Sequence, residues 1–207
     1  MLIKIFTLFL LSSVSLGVQA APIFNAGNGH YYELHTFTDD WRLNWSEAKE
    51  FAENLTFKGA QGYLATVTDQ SEDDFLWNVL GAEGSFLGAY DESQEVNGQL
   101  QHNAVWKWVT NEPFSYTNWL PGEPNNWQDD SPDTPAKEDY LMYWWSATSN
   151  GGRWNDTNLI SAYLINGNIE YVNQGFVVEY APVPLPQAVW LFSSGLILML
   201  GRSRLRA

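Results

Sequence analysis

Five side chains with hard oxygen atoms fall in three short clusters: Glu123 and Asn125 around Pro124, Glu138 beside Asp139, and Asn155-Asp156 after Trp154. Carboxylate and amide oxygens, in a chain with no Cys and with no His close to these clusters, suit calcium far better than zinc or copper. Three acids and two amides set three negative charges against the two of the ion. Calcium takes roughly six to eight oxygens, so coordination positions stay open for the hydroxyls of a ligand. The proline adds geometry. An X-Pro bond adopts cis at small cost and reverses the chain tightly, which would turn Glu123 and Asn125 toward one point. One oxygen of each then binds the ion. The other carboxylate oxygen accepts, and the amide NH₂ donates, a hydrogen bond to a sugar hydroxyl. Glu-Pro-Asn alone reads better as an Asx-rich surface loop with accidental spacing. All three clusters together favour the ion.

The elements that must position these groups are legible in the periodicity. Residues 28–38 alternate aromatic and polar, as a strand does. Trp45, Ala48, Phe51, Ala52 and Leu55 recur at helical spacing over 45–57. Ser71-Glu72-Asp73-Asp74 opens a second helix, its acids suited to the helix dipole, with Phe75, Leu76, Val79 and Leu80 expected inside. Beyond Gly81 the pattern changes to short strands and long loops, with strands expected at 140–145 and 176–180. The stretch 111–158 is dense in Pro, Gly, Asn and Asp, and such a length without regular structure usually has a function. The expected fold is α+β: two helices beside small antiparallel sheets, with a long calcium-binding loop at one end.

Composition narrows the function. Lys4, the apolar run 5–16 and Val18-Gln19-Ala20 read as a secretory leader over residues 1–20. Residues 182–207 read as a tail: Val183-Pro184-Leu185-Pro186, a short apolar run 188–200, then Arg202, Arg204 and Arg206. The roughly 160 residues between them suit one domain with a single core. Trimming both ends removes four basic and no acidic residues, moving the net charge from −14 to −18, 24 acidic against 6 basic. That balance excludes nucleic acid, which needs a basic face, and favours cation capture. Zero Cys in an exported chain means no covalent staples. Eleven Trp, each able to bury on the order of 150–250 Å², offer compensation.

These motifs together resemble the C-type lectin domain over residues 22–181. Asn28-Gly29-His30-Tyr31-Tyr32 resembles its opening strand, and Trp45-Ser46-Glu47-Ala48-Lys49 the start of its first helix. Gly62-Tyr63-Leu64-Ala65-Thr66-Val67 resembles its "G-x-L-A-T" strand, and 71–76 its second helix. Phe86-Leu87-Gly88-Ala89 stands in the place of "W-I-G-L", and Phe176-Val177-Val178-Glu179-Tyr180 resembles the closing strand. The resemblance implies that Glu123, Asn125, Glu138, Asn155 and Asp156 hold a Ca²⁺ that itself binds sugar. Glu-Pro-Asn implies preference for mannose- or glucose-type 3- and 4-hydroxyls. It implies a second ion site from Asp91, Glu95, Glu138 and Asp139, for which a solvated acidic turn is the alternative; Asn126 stands where that site often has Asp. The family usually carries at least two disulfides, and here Val178 and Tyr140 stand at half-cystine positions. The interval 127–137 is longer than usual, and its Asp129, Asp130 and Asp133 read as a solvated insertion rather than as groups that reshape the site. The tail resembles a PEP-CTERM sorting signal with "V-P-L-P" for "V-P-E-P". It implies an exosortase-type processing enzyme, transient membrane association, and export to the surface of a Gram-negative bacterium.

No separate acid–base pair, G-x-S-x-G elbow or H-E-x-x-H appears, and His30, His35 and His102 are scattered. An enzyme is therefore not expected. Of Trp119, Trp127, Trp144, Trp145 and Trp154, the loop residue Trp127 is the candidate sugar contact. The competing function is a protein-binding or matrix component of exopolysaccharide that binds no sugar.

Overall fold

The computed structural model describes residues 21–38, 41–92, 105–127, 137–144, 151–165 and 168–183. The leader, residues 184–207 of the tail, Glu95, Asp129, Asp130, Asp133 and Trp145 lie outside them. Strands β1 (Ile23–Phe24) and β2 (Tyr31–Thr36) precede helix α1 (Trp45–Glu53). Short strands β3 (Thr56–Phe57), β4 (Ala60–Gln61) and β5 (Tyr63–Leu64) lead to α2 (Gln70–Phe75), which continues as a π-helical turn, Leu76–Leu80. Then come β6 (Ser85–Asp91), β7 (Trp106–Trp108), β8 (Tyr140–Tyr143), β9 (Trp154–Thr157), β10 (Ala162–Ile165), β11 (Asn168–Tyr171) and β12 (Gly175–Tyr180).

Helix α1 starts where the sequence supplies a capping box: Glu47 N donates to Asn44 Oδ1 and Asn44 N to Glu47 Oε2, both at 2.9 Å. It ends four residues before the expected Phe57. Lys58 and Gly59 take positive φ (49° and 83°) and fold Thr56–Phe57 back onto Ala60–Gln61 as a hairpin. Asp69 caps α2 by accepting from Glu72 N at 2.9 Å. The wider π turn that follows shifts the helical register, closing at Gly81 with φ 77°. Val79, expected inside, is 59% exposed. Glu72 and Asp73 lie in the first turn of α2 as expected, and are buried there. Leu76 is buried as expected. The strand expected over 28–38 is shorter, because residues 26–28 form a turn, and that over 140–145 ends at Tyr143.

The main sheet runs β1-β2-β12-β6-β8-β9, with β5 also paired to β12 and β7 to β6. The β12–β6 pair is parallel and the others are antiparallel. Gly88 lets β6 cross β5 closely: a Cβ there would meet Leu64 O at 2.2 Å. The core divides in two. One part gathers Trp108, Tyr143, Trp154, Leu87 and Leu141, and the other Trp45, Leu64, Phe86, Met142, Phe176 and Val178.

Polar ties join the closing strand to the rest. Glu179, fully buried, accepts from Tyr63 Oη at 2.9 Å and Thr66 N at 2.9 Å, and pairs with His30. Glu72 accepts from Tyr32 Oη, Asn28 Nδ2 and Thr68 N. Atoms of His30, Glu72 and Glu179 lie within 4.8 Å of one another. The hydrogen bond that His30 gives to Glu179 raises the His30 pKa above 6.5, outweighing burial. A raised basic pKa adds stability that is complete below 6.5 and lost as pH rises through the raised value. The melting temperature of the wild type, minus that of H30N, should therefore be constant below pH 6.5 and fall as pH rises above it. The full difference corresponds to about 1.5–3 kcal/mol for a charge-assisted bond, and a pH-independent difference would contradict the tie.

Candidate functional site

The three sequence clusters converge at the end of the sheet formed by β8 and β9. Antiparallel pairing sets Asp156 opposite Leu141 and Asn155 opposite Met142, so the β9 ligand residues sit beside the strand that follows Glu138-Asp139. The loop is fastened to β9 by Asp156. Its Oδ1 accepts from Asn125 N at 3.2 Å and its Oδ2 from Asn126 N at 2.7 Å. A second tie runs to Glu138, whose Oε2 accepts from Trp127 N at 2.6 Å while Glu138 N donates to Asn126 Oδ1 at 3.0 Å. Asn126 thus bridges both clusters. Its backbone takes a φ of 48°, a conformation Asn tolerates better than most residues. Asn155 Nδ2 donates to Asp156 O. The Glu123–Pro124 peptide is cis.

Glu123 carries the clearest sign of a missing partner. Its Oε2 is buried and accepts no hydrogen bond. Burial, and after it the neighbouring Asp156 carboxyl, push the Glu123 pKa up to about 7. Two carboxyls at close range cannot both ionise freely without a positive charge between them. The donor set is all oxygen, so it fits calcium; Glu123, Asn125, Glu138, Asn155 and Asp156 are the residues that would hold it.

Beside this set, Asp91 and Asp139 are brought together: Asp91 N donates to Asp139 O at 2.8 Å. The Asp139 pKa is raised, first by burial and further by Asp91 and Asp156, against the lowering effect of Lys137. Asp91 also accepts from Val105 N at 2.7 Å. Trp127 is 49% exposed on the loop. Trp154 is fully buried and Trp119 partly so, both packed in the aromatic core, which removes them as sugar contacts.

Sequence reasoning missed Asp73. It is 2% exposed and accepts from Tyr143 Oη, Trp154 Nε1 at 3.1 Å, Tyr116 Oη at 2.9 Å and Asn118 Nδ2. Burial raises its pKa despite these four donors. Through Trp154 and Asn118 it fixes the start of β9 and the segment leading to Glu123. The available signal was spacing: Asp73, Leu76 and Leu80 share one helical stripe, a pattern read as core when every member is apolar.

This architecture, two helices against a mixed sheet with a long loop over its end, is the C-type lectin fold. Residues 42–161 match the family profile described as the Lectin C-type domain. Halomucin of Haloquadratum walsbyi is 32% identical over 171 residues, 81% of this chain but 2% of that protein. Lithostathine of Rattus norvegicus is 28% identical over 138 residues, 63% of this chain and 68% of its own. The crystal structure of human lithostathine superposes with a TM-score of 0.52 at 16% identity, covering 85% of this chain and 99% of that one, a likeness of fold alone. The chain belongs to the C-type lectin domain family. That family is generally calcium-dependent and generally non-enzymatic. Among the described residues no helix is long and apolar enough to cross a membrane; the span expected at 188–200 lies outside them.

Removing the Asp73 carboxylate strands the Tyr143 hydroxyl and the Trp154 N–H in the core. D73A should lose about 3 kcal/mol in urea unfolding, and D73N, which keeps one acceptor oxygen, distinctly less. Equal losses in the two variants would contradict the hydrogen-bonding role.

Proposed function

We propose that this chain is an exported lectin that binds mannose- or glucose-type sugars through calcium. The observation that carries the reading is the buried, unpartnered oxygen of Glu123 beside the Asp156 carboxyl. A cation there relieves the repulsion and satisfies the orphaned atom. When bound, calcium supplies positive charge and open positions for two adjacent sugar hydroxyls. The protein's own part is to orient that diol: Glu123 and Glu138 accept, Asn125 and Asn155 donate, and the exposed Trp127 ring shields one face. Asp156 keeps the loop closed through the Asn125 and Asn126 amides. Asp91, Asp139 and Glu95 form the proposed second ion site with Glu138. The leader over 1–20 and the tail over 182–207 support export, membrane passage and exosortase-type processing at a Gram-negative surface, where display of many copies would raise avidity.

Binding to a glycan panel with calcium and with EGTA tests the reading. Mannose-type ligands should bind only with the ion. Ion uptake without any sugar binding would favour the matrix-component reading instead. E123Q combined with N125D should move preference toward galactose-type ligands; an unchanged panel with calcium still bound would remove the pair from the specificity role. N155A should weaken both ion and sugar by about tenfold or more, the scale of one lost ligand.

The raised Glu123 carboxyl adds a pH signature. Calcium must displace its proton, so affinity should fall about tenfold per pH unit below 7, the slope of one proton released. E123Q should flatten that slope. A chromophoric chelator competing for calcium at pH 5.5, 6.5 and 7.5 reads both.

A further inference from the structure

We propose that a second saccharide site, independent of any cation, lies where the loop entering α1 meets the β10–β11 hairpin. Two hollows adjoin there, of ≈570 and ≈430 Å³. Both fall within the roughly 300–1,000 Å³ typical of small-molecule sites. They share Arg42, Tyr171 and Asn173. This shared group is held in place. Arg42 Nη1 donates to Asn173 O at 3.0 Å and to Asn173 Oδ1 at 3.4 Å, and Asn173 is 2% exposed. The guanidinium lies over the Tyr171 ring, 5.2 Å from its centroid, and 5.8 Å from that of Phe37. Tyr171 nevertheless keeps 51% of its surface exposed. An open aromatic ring braced by a fixed cation is ordered before any ligand arrives, so little conformational freedom is lost on binding.

The lining selects the ligand. Asn44 and Glu47 border the first hollow, Glu170 and Gln174 the second. One cation facing two carboxylates does not hold an anion such as a phosphate or a uronate. Amides that donate and accept, carboxylates that accept and a guanidinium that donates match a neutral compound rich in hydroxyls. The exposed ring suits the C–H face of a pyranose. Two adjoining hollows suit a short neutral oligosaccharide of two or more rings rather than a monosaccharide. No residue of this group belongs to the Glu123–Asp156 set, so the inference stands apart from the calcium reading.

The 207-residue chain in EDTA, probed by saturation-transfer NMR with cellotetraose, maltotetraose and mannotetraose, tests the proposal. At least one should receive transfer, and its titration should shift backbone amides within 42–47 and 170–174. Y171A removes an exposed ring and should fold. It should weaken that binding by about tenfold while leaving calcium-dependent binding of methyl mannoside unchanged. R42Q should weaken it too. Absence of transfer from all three tetrasaccharides in EDTA, or transfer undiminished in Y171A, overturns the proposal. Failure of methyl mannoside to bind the wild type with calcium counts against the Glu123 site and leaves the EDTA result to be judged by itself.

Discussion

The carboxylate of Asp156 is the bond between loop and scaffold on which the site depends. It sits on β9, a strand fixed by pairing to β8, and it grips two successive loop amides, those of Asn125 and Asn126. A bridge between Trp119 and Trp154 and the bond from Glu123 N to Leu120 O bring Glu123 up to the start of β9, and Asp156 fastens the loop that follows it. The grip has an electrostatic cost, because it draws the Glu123 carboxyl against another carboxyl in a half-buried place. A polar site under such repulsion is poised for a cation: in the proposed reading, the charge that makes the metal-free form unfavourable is the charge that would bind calcium. Fold and function are thus linked at one side chain.

The chain achieves this without disulfides, which the resemblance makes a departure. Val178, at a half-cystine position, is fully buried in the second part of the core. Tyr140, at another, packs on Trp45 with ring centroids 4.7 Å apart. Apolar contact therefore takes the place of covalent closure; a fully buried side chain such as Val178 contributes on the order of 1.5–3 kcal/mol, and the partly buried Tyr140 less. Three buried carboxylates complete the job. Glu179 ties β12 to β5 and to His30 just before β2, Glu72 ties α2 to β2, and Asp73 ties α2 to β8 and β9. Asp73 matters most for function, because it orders Trp154 immediately before Asn155.

The metal-type cluster was legible because its chemistry is local: Glu-Pro-Asn and Trp-Asn-Asp each place oxygens within a few residues. The helices were legible by their apolar stripes, and α1 by its Asn44–Glu47 box. What could not be read was burial of charge. Glu72 and Asp73 looked like acids at a helix N-terminus, and only the long-range partners Tyr32, Tyr143 and Trp154 make them interior. The π turn was equally hidden, since an added residue per turn leaves no mark in composition, and it carried Val79 outward. The hairpin at Lys58-Gly59 did carry a turn signal, but the apolar Leu55 and Phe57 continued the apolar pattern up to it, beyond the true end of α1 at Glu53. The Arg42–Tyr171 hollow joins segments some 130 residues apart and had no sequence signature.

The account stands on calcium entering between Glu123 and Asp156. Isothermal calorimetry of the purified chain, run alongside a melting curve with and without the ion, measures this directly. A saturable heat at pH 7.5, accompanied by a higher melting temperature and lost in N155A, is the predicted result. A flat titration with an unshifted melting temperature would contradict it.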